Sequence, residues 1–481
     1  MVIPNVNFTN KFRRSSSLST KMQSAVSERS PLLGEGSQSR QLTSSTLASA
    51  HSHPLAHHDD DDSAVWRKVL FNSHSTPGTE SQNVAVKTLA TVWHVFKVTL
   101  LSSYVNFLLI AVPLGIYAGE NNWDSTTVFT INFFAIIPLA AVLSFATEEI
   151  SMKLGETLGG LLNATFGNAV ELIVSIVALR DGQIEVVQAS MLGSILSNLL
   201  LVMGMCFFFG GLVNMTDSAG QGREQAFASA TAQTTCSLMT LAAASLVIPA
   251  ALSSVLQGTS DDGEQSHTIL VLSRYTAIIL LVLYVMYLVF QLRTHKNLFT
   301  GGPESPAASD VESATAVDSE DEEEPILSPW AAIGVLVVTT ILVSICADYL
   351  VGSIDDLVEE AHISKSFIGL ILIPIVGNAA EHVTAVVVAI RDKMDLAMGV
   401  AIGSSIQIAL LVTPFLVIVG WIMGQPMTLH FEMFQTVAFA FSVLVVTYTV
   451  QDGRSNYLEG AMLLGLYFII AVAFYASPAS L

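Results

Sequence analysis

Two short strings carry the chemistry of this 481-residue chain: Gly167-Asn168-Ala169-Val170-Glu171 and Gly377-Asn378-Ala379-Ala380-Glu381. In each, an amide and a carboxylate stand three residues apart, which on a helix puts them on one face. Both strings lie inside long apolar stretches, where a carboxylate is costly unless it is protonated or paired with a cation. No intramembrane Lys or Arg offers itself as a partner, so a mobile cation must neutralise them. Glu171 and Glu381, the amides of Asn168 and Asn378, and freed backbone carbonyls make an all-oxygen set with two negative charges. A hard divalent cation such as Ca2+ prefers such a set. When the ion leaves, desolvation and mutual repulsion favour the protonated carboxyls, so protons take its place. Competition of Ca2+ and H+ for the same two groups would couple their movements.

The strings belong to longer repeats. LLNATFGNAVELIVSIVALRD (161–181) matches LILIPIVGNAAEHVTAVVVAIRD (370–392), and QASMLGSILSNLLLV (188–202) matches MGVAIGSSIQIALLV (398–412). Under the shared anchors Gly193-Ser194 and Gly403-Ser404, Ser197 aligns with Gln407. With the neighbouring Asn198, these are candidate neutral oxygen donors. A Gly precedes each Asn and Pro374 precedes the second string, so each helix is expected to kink or open there and lend carbonyls. A lone buried Asn or Ser is more often an interhelical hydrogen-bond partner; two carboxylates at matching repeat positions are hard to explain by packing. Glu148 and Glu149 end a span and are ion-path candidates, weighed against a plain helix edge. Asp348 is a weaker candidate of the same kind. His382 is turned about 100° of helix rotation from Glu381 and is a proton-handling candidate on the ion path.

The elements that must position these groups follow from composition. Asp, Glu, Lys and Arg make up only 12% of the chain against a hydrophobic share of 52%, half the usual charge of a soluble protein. From about residue 100 onward, apolar stretches recur at the length of about 20 residues that a helix needs to cross a bilayer. Spans are expected near 100–118, 127–148, 157–179, 186–212, 226–254, 269–292, 329–352, 366–390, 395–422, 429–450 and 456–476, eleven in all. Strands of a membrane barrel would alternate polar and apolar residues over about ten positions, and these do not. The repeated strings fall in the second helix of two five-helix groups, and five is odd. The expected fold is therefore an all-α polytopic membrane protein, one leading helix plus two inverted five-helix repeats, with the site near the midplane where they meet.

The organisation expected is a disordered cytosolic tail (1–86), a leading helix with its flanks (87–126), a first repeat (127–296), an acidic loop (297–328) and a second repeat (329–481). The tail is too polar to offset its ordering entropy. Its cluster His51, His53, His57, His58 with Asp59 to Asp62 reads as a solvated tract rather than a metal site. It lacks an apolar leader, so the first span must direct targeting. Glu28-Arg-Ser-Pro-Leu32-Leu33 resembles an acidic dileucine sorting signal and would engage a sorting adaptor. Lys153, Arg223, Arg293, Lys296, Arg391, Lys393 and Arg454 fall on one side, against Arg180, Arg274 and Lys365 on the other. The positive-inside rule then makes the N-terminus and the acidic loop cytosolic and the C-terminus lumenal. The run Asp318 to Glu324 would concentrate cations at the entrance or serve as a solvated linker. A net charge of −20 argues against nucleic acid, which needs a dense basic face. Cys206, Cys236 and Cys346 lack any paired spacing and read as buried small hydrophobes.

At GNAVEL, GNAAEHVTAV, SILSNLLLV and DKMDLAMGVAIGSSIQIAL the chain resembles the two repeats of the calcium/cation antiporter superfamily, in its calcium/proton exchanger branch. The likeness covers residues from about 100 to 478 and leaves out the tail. It implies that Glu171 and Glu381 bind Ca2+, that Glu148 lies on the ion path, that Ser197 and Gln407 help line the site, and that the membrane is vacuolar. It also implies no cofactor beyond the transported Ca2+ and H+, and no enzyme activity; a homo-oligomer stays open. Three other classes compete. A Na+/Ca2+ exchanger would share the fold, and dependence on a Na+ gradient would reveal it. A cation channel would show flux without a counter-ion. An intramembrane protease would need an HExxH or a GxGD string, and neither occurs.

Overall fold

The computed structural model describes residues 76, 78–217, 220–256, 262–295 and 325–477. The His/Asp cluster at 51–62, the Glu28 to Leu33 string and the acidic run at 318–324 lie outside the described residues. What is described is almost entirely helical: α1 Val84–Leu101, α2 Tyr104–Glu120, α3 Ser125–Leu154, α4 Glu156–Phe166, α5 Ala169–Arg180, α6 Ile184–Val213, α7 Ser229–Leu256 and α8 Asp262–Val289. After the acidic loop come α9 Pro329–Gly352, α10 Ile354–Ala361, α11 Lys365–Gly377, α12 Ala379–Ile390, α13 Met394–Met423, α14 Met433–Thr449 and α15 Tyr457–Ala476. Short polar residues set the starts, each filling an orphan helical N–H. Asp124 accepts from Thr127, Ser328 from Ala331 ahead of Pro329, and Asn456 from Leu458 and Glu459.

Eight of these helices are individually long and apolar enough to cross a bilayer, or nine when the bent pair α10 and α11 counts as one. The expected eleven is therefore not reached by length and composition alone. The reason is physical: the span expected at 157–179 exists as α4 and α5, and that at 366–390 as α11 and α12, each cut at a Gly-Asn step, while those at 100–118 and 429–450 are the shorter apolar helices α2 and α14. Sequence reading also missed α1, because two lysines in VAVKTLATVWHVFKVTLL and the adjoining polar tail mask its apolar content. It packs Val98 with Ile150, Leu327 and Ala332 at the ends of α3 and α9.

Two ends of the bundle are visible from its polar ties. At one, Ser125 and Thr126 donate to Asp356 and Glu360 at 2.6 Å each, Arg180 pairs with Asp348, and Lys365 pairs with Asp355 at 2.6 Å. At the other, Arg223 pairs with Asp392 at 2.6 Å, Arg454 with Glu224 at 3.5 Å, and two-residue strands β1 (Gln225–Ala226) and β2 (Arg454–Ser455) pair antiparallel. The start of α3 thus lies with the end of α9, while the segment leading into α9 bonds Glu149 near the end of α3. The first helices of the two repeats run antiparallel, as an inverted repeat requires. The core between them is continuous and apolar, with Leu139, Leu143, Leu179, Leu192, Ile195 and Leu196 at 2% exposure or less. All three cysteines are buried and free.

The leading helix α2 carries Pro113 and Gly115, which weaken it as a sequence signal. The proline falls just after the 3-10 turn Tyr104–Ile110, in the first turn of the α-helical part Ala111–Glu120, where a missing N–H costs little. Gly115 and Gly119 form a small-xxx-small face. A Cβ on Gly115 would lie 2.6 Å from Asn132 Oδ1 on α3, and one on Gly119 would lie 2.3 Å from the Tyr349 ring on α9. We expect Gly119→Val to push α2 off α9 and to cost about 1–3 kcal/mol, the usual range for overpacking. A thermal melt of the purified protein in detergent reads it; an unchanged Tm would mean that Tyr349 simply rotates away.

Candidate ion-binding site

The two Gly-Asn steps break their helices. Asn168 has φ −102° and ψ 28°, and Asn378 has φ −97° and ψ 3°, so α5 and α12 each start afresh with a glutamate in the first turn. The partly positive helix end there favours a carboxylate. On the following helices, α6 and α13, the backbone relaxes into matching π-helical turns, Ser197–Val202 and Ile408–Val412. Such one-residue expansions cluster at functional positions. Here they begin at Ser197 and immediately after Gln407, the pair the repeats align.

Around Asn168 the polar groups form a connected set. Its Nδ2 donates to Gln407 Oε1 at 2.7 Å, and its Oδ1 accepts from the Ser404 hydroxyl at 2.9 Å. Ser404 accepts in turn from Asn198 Nδ2 at 3.0 Å. The repeat-related set is not closed in the same way. Asn378 Nδ2 and Ser194 Oγ are buried without a hydrogen-bond partner, and Ser197 lies 3.3 Å from His382 Nε2 instead. A serine at 197 cannot reach as far as the glutamine at 407, and the imidazole occupies it.

The carboxylates sit in different surroundings. Glu171 is 4% exposed, and neither of its oxygens has a hydrogen-bond partner. It is enclosed by Ile136, Val174, Leu350, Ile373 and Val376. A Cβ on Gly377 would stand 2.6 Å from Glu171 Oε1, so the glycine of the second string makes room for the carboxylate of the first. Glu381 lies within electrostatic reach of Glu171. Unlike Glu171, it borders a cavity of about 520 Å³ lined also by Glu148, Asn163, Gly167, Ser404 and Gln407. Among the described residues no three His, Cys, Asp or Glu side chains gather as a metal cluster. A cation here would depend on amide, hydroxyl and carbonyl oxygens beside the two glutamates, as a hard ion does.

Some expected residues go elsewhere. Glu149 is 3% exposed and accepts from the backbone N–H groups of Ile326 at 3.2 Å and Leu327 at 2.7 Å, fixing the entry to α9. It is absent from the cavity lining, where Glu148 appears. Asp348 is half exposed and pairs with Arg180 at the far end of the bundle. His382 is buried against Ser197 and does not line the cavity. In the sequence Ser404 and Ser194 serve only as alignment anchors, although the signal is there: a hydroxyl one turn before each of the aligned Ser197 and Gln407. Glu149→Gln is expected to leave one backbone N–H without an acceptor and to cost about 1–3 kcal/mol of stability. Tm should fall while the KM for any transported cation holds, and the opposite pattern would return Glu149 to the ion path.

Residues 125–293 and 331–476 match the family described as sodium/calcium exchanger protein. The chain is 50% identical over 382 residues to the vacuolar calcium ion transporter of Schizosaccharomyces pombe, covering 79% of this chain and 87% of that one. It is 44% identical over 372 residues to a Ca(2+)/H(+) antiporter of Aphanothece halophytica, covering 77% and 96%. The solved structure of native YfkE superposes with a TM-score of 0.62 at 35% identity, over 78% of this chain and 100% of that one. With the family match spanning both halves of the bundle and both Gly-Asn breaks, the chain belongs to the sodium/calcium exchanger protein family.

Proposed function

We propose that this chain is a secondary antiporter of the vacuolar membrane that moves Ca2+ out of the cytosol into an acidic lumen in exchange for H+. The observation that carries the reading is Glu171: a carboxylate buried among aliphatic side chains, both oxygens without a hydrogen-bond partner, across from a second carboxylate on a water-accessible cavity. Such a group is stable only with a proton or a cation on it. In this reading Glu171 and Glu381 carry both ions by turns. Asn168, Asn378, Ser197 and Gln407 supply neutral oxygens, and Glu148 gathers cations on the way in. The similar proteins named as a calcium ion transporter and a Ca(2+)/H(+) antiporter support the choice of ions.

The cavity at Glu381 is lined by Ser102, Ser103, Glu148 and Leu292, toward the end of the bundle where α3 closes with Lys153 and where Arg223, Arg391, Lys393 and Arg454 lie. By the positive-inside rule we read that end as cytosolic and this state as cytosol-facing; with α1, packed against the ends of α3 and α9 there, not counted as a crossing, the N-terminus is read as cytosolic and the C-terminus as lumenal. Ca2+ entering past Glu148 meets Glu381 first and displaces its proton. Once the cavity closes and the Glu171 side opens, lumenal protons displace Ca2+. The discriminating experiment is 45Ca2+ uptake by proteoliposomes under an imposed pH gradient against an imposed Na+ gradient. Uptake driven by pH alone supports the reading. Uptake driven by Na+ alone would move the chain to Na+/Ca2+ exchange, and uptake needing neither would make it a channel.

A further inference from the structure

The two halves cross their helices differently. Gly167 recurs as Gly377 and Gly193 as Gly403; in the same register Gly160 corresponds to Leu370, Gly159 to Gly369 and Gly399 to Ala189. On one side α6 packs hard on α11: a Cβ on Gly193 would stand 2.1 Å from Leu370 O, and one on Gly369 would stand 2.7 Å from the Ala189 Cβ. The equivalent crossing of α13 with α4 is open. A Cβ on Gly399 or Gly403 meets nothing within 4 Å, and one on Gly160 meets only the tip of Leu292, at 3.2 Å. Behind α13 lies a second cavity of about 350 Å³, lined by Thr231 and Thr235 of α7, Tyr287 and Gln291 at the end of α8, and Gly399 and Gly403. It shares Gln291, Gly399 and Val400 with the cavity at Glu381.

We propose that this second cavity is the berth into which α4 moves in the opposite-facing state, with Gly160 seated on Gly403 as Leu370 now sits on Gly193. Three glycines on the open crossing then have a reason that the present state does not give them. Two helices can approach to backbone contact only where no Cβ stands between them. The crossing now closed offers a leucine carbonyl to one glycine; the crossing now open offers glycine to glycine and allows at least as close an approach. Movement of α4 would carry Asn163 and Gly167 across the mouth of the Glu381 cavity and seal it.

The inference rests on the alternating-access reading above, and its test separates the two. In the full chain in proteoliposomes, Gly403→Leu should lower exchange at least tenfold while Ca2+ binding from the open side and Tm stay within twofold and a few degrees, because a Cβ there meets nothing within 4 Å in the present state and the rest of the side chain has the second cavity to enter. Gly334→Leu, at an equally open glycine on α9, should leave exchange unchanged. The pair Gly160→Cys with Gly403→Cys should form a disulfide under oxidant during turnover, seen as a gel shift, and should arrest exchange until reductant is added. Exchange within twofold of wild type in Gly403→Leu, or no cross-link under turnover, would overturn the berth. The gel shift does not depend on which ions move. A cross-link that forms under a Na+ gradient alone would therefore sink the Ca2+/H+ reading and leave the berth standing.

Discussion

Glu171→Gln and Glu381→Gln are each expected to reduce Ca2+/H+ exchange by about 100-fold or more, which is about 2.7 kcal/mol, with the protein still folded. The isosteric amide keeps the volume but cannot carry a proton or balance a divalent cation. Folding should survive for a specific reason. Neither Glu171 oxygen makes a hydrogen bond in the present state, so no native contact is lost, and an unpaired buried carboxylate is itself costly to keep. The two variants should differ in one respect. Glu381 borders the open cavity, so its replacement should abolish Ca2+ binding from the cytosolic side. Glu171 is sealed, so its replacement should weaken that binding less and stop the cycle at proton return. Isothermal titration with Ca2+, together with proteoliposome uptake, reads both. Near-normal uptake by either variant would defeat the assignment of the carboxylate pair.

Acidifying the cytosolic side should raise the apparent KM of the wild type for Ca2+, because protons and Ca2+ compete for the same oxygens. Proteoliposome uptake at several external pH values and one fixed lumenal pH reads it, and an apparent KM that stays constant as the cytosolic side is acidified would show that the two ions do not share those oxygens.

The glutamates and the helix breaks were legible in the sequence because each depends on local order. A carboxylate in an apolar run needs a partner wherever the run folds, and a Gly-Asn step weakens a helix from within. Repetition made the inverted topology legible as well, since an odd group of helices repeated must change hand. Glu148 and Glu149 could not be told apart: adjacent residues on a helix point about 100° apart, and only the position of the segment before α9 decides which meets backbone N–H groups. Asp348 looked like a membrane carboxylate because its surroundings in sequence are apolar. It reaches the end of α9 and the Arg180 side chain instead. His382 facing Ser197 depends on the crossing of α6 with α12, which no pattern in either helix specifies. The unequal packing of the two repeats was not legible at all, because nearly equal sequences must take both arrangements during a transport cycle.

Gly377→Ala is expected to damage exchange clearly, if less than loss of a carboxylate, although it adds only one methyl group. The backbone at 377 is helical, so alanine suits it and no conformational strain arises. The difficulty lies across the helix crossing, where the new Cβ would stand 2.6 Å from Glu171 Oε1 and 3.0 Å from its Cδ. A carboxylate at a flexible chain end usually swings aside at little cost. This one is walled by Ile136, Val174, Leu350 and Ile373, and close-packed interiors yield reluctantly. The oxygens should therefore shift away from Asn378 and the Glu381 side, and exchange should fall by about tenfold, which is about 1.4 kcal/mol. Stability should change by less, since alanine also favours the helix by up to about 1 kcal/mol. The cause can be isolated by shortening the partner. Glu171→Asp alone withdraws the carboxylate and should impair exchange, yet combined with Gly377→Ala it should do no further harm, because the clash is gone. Additive losses in the double variant would show that Gly377 serves the helix break itself and not the seat of Glu171.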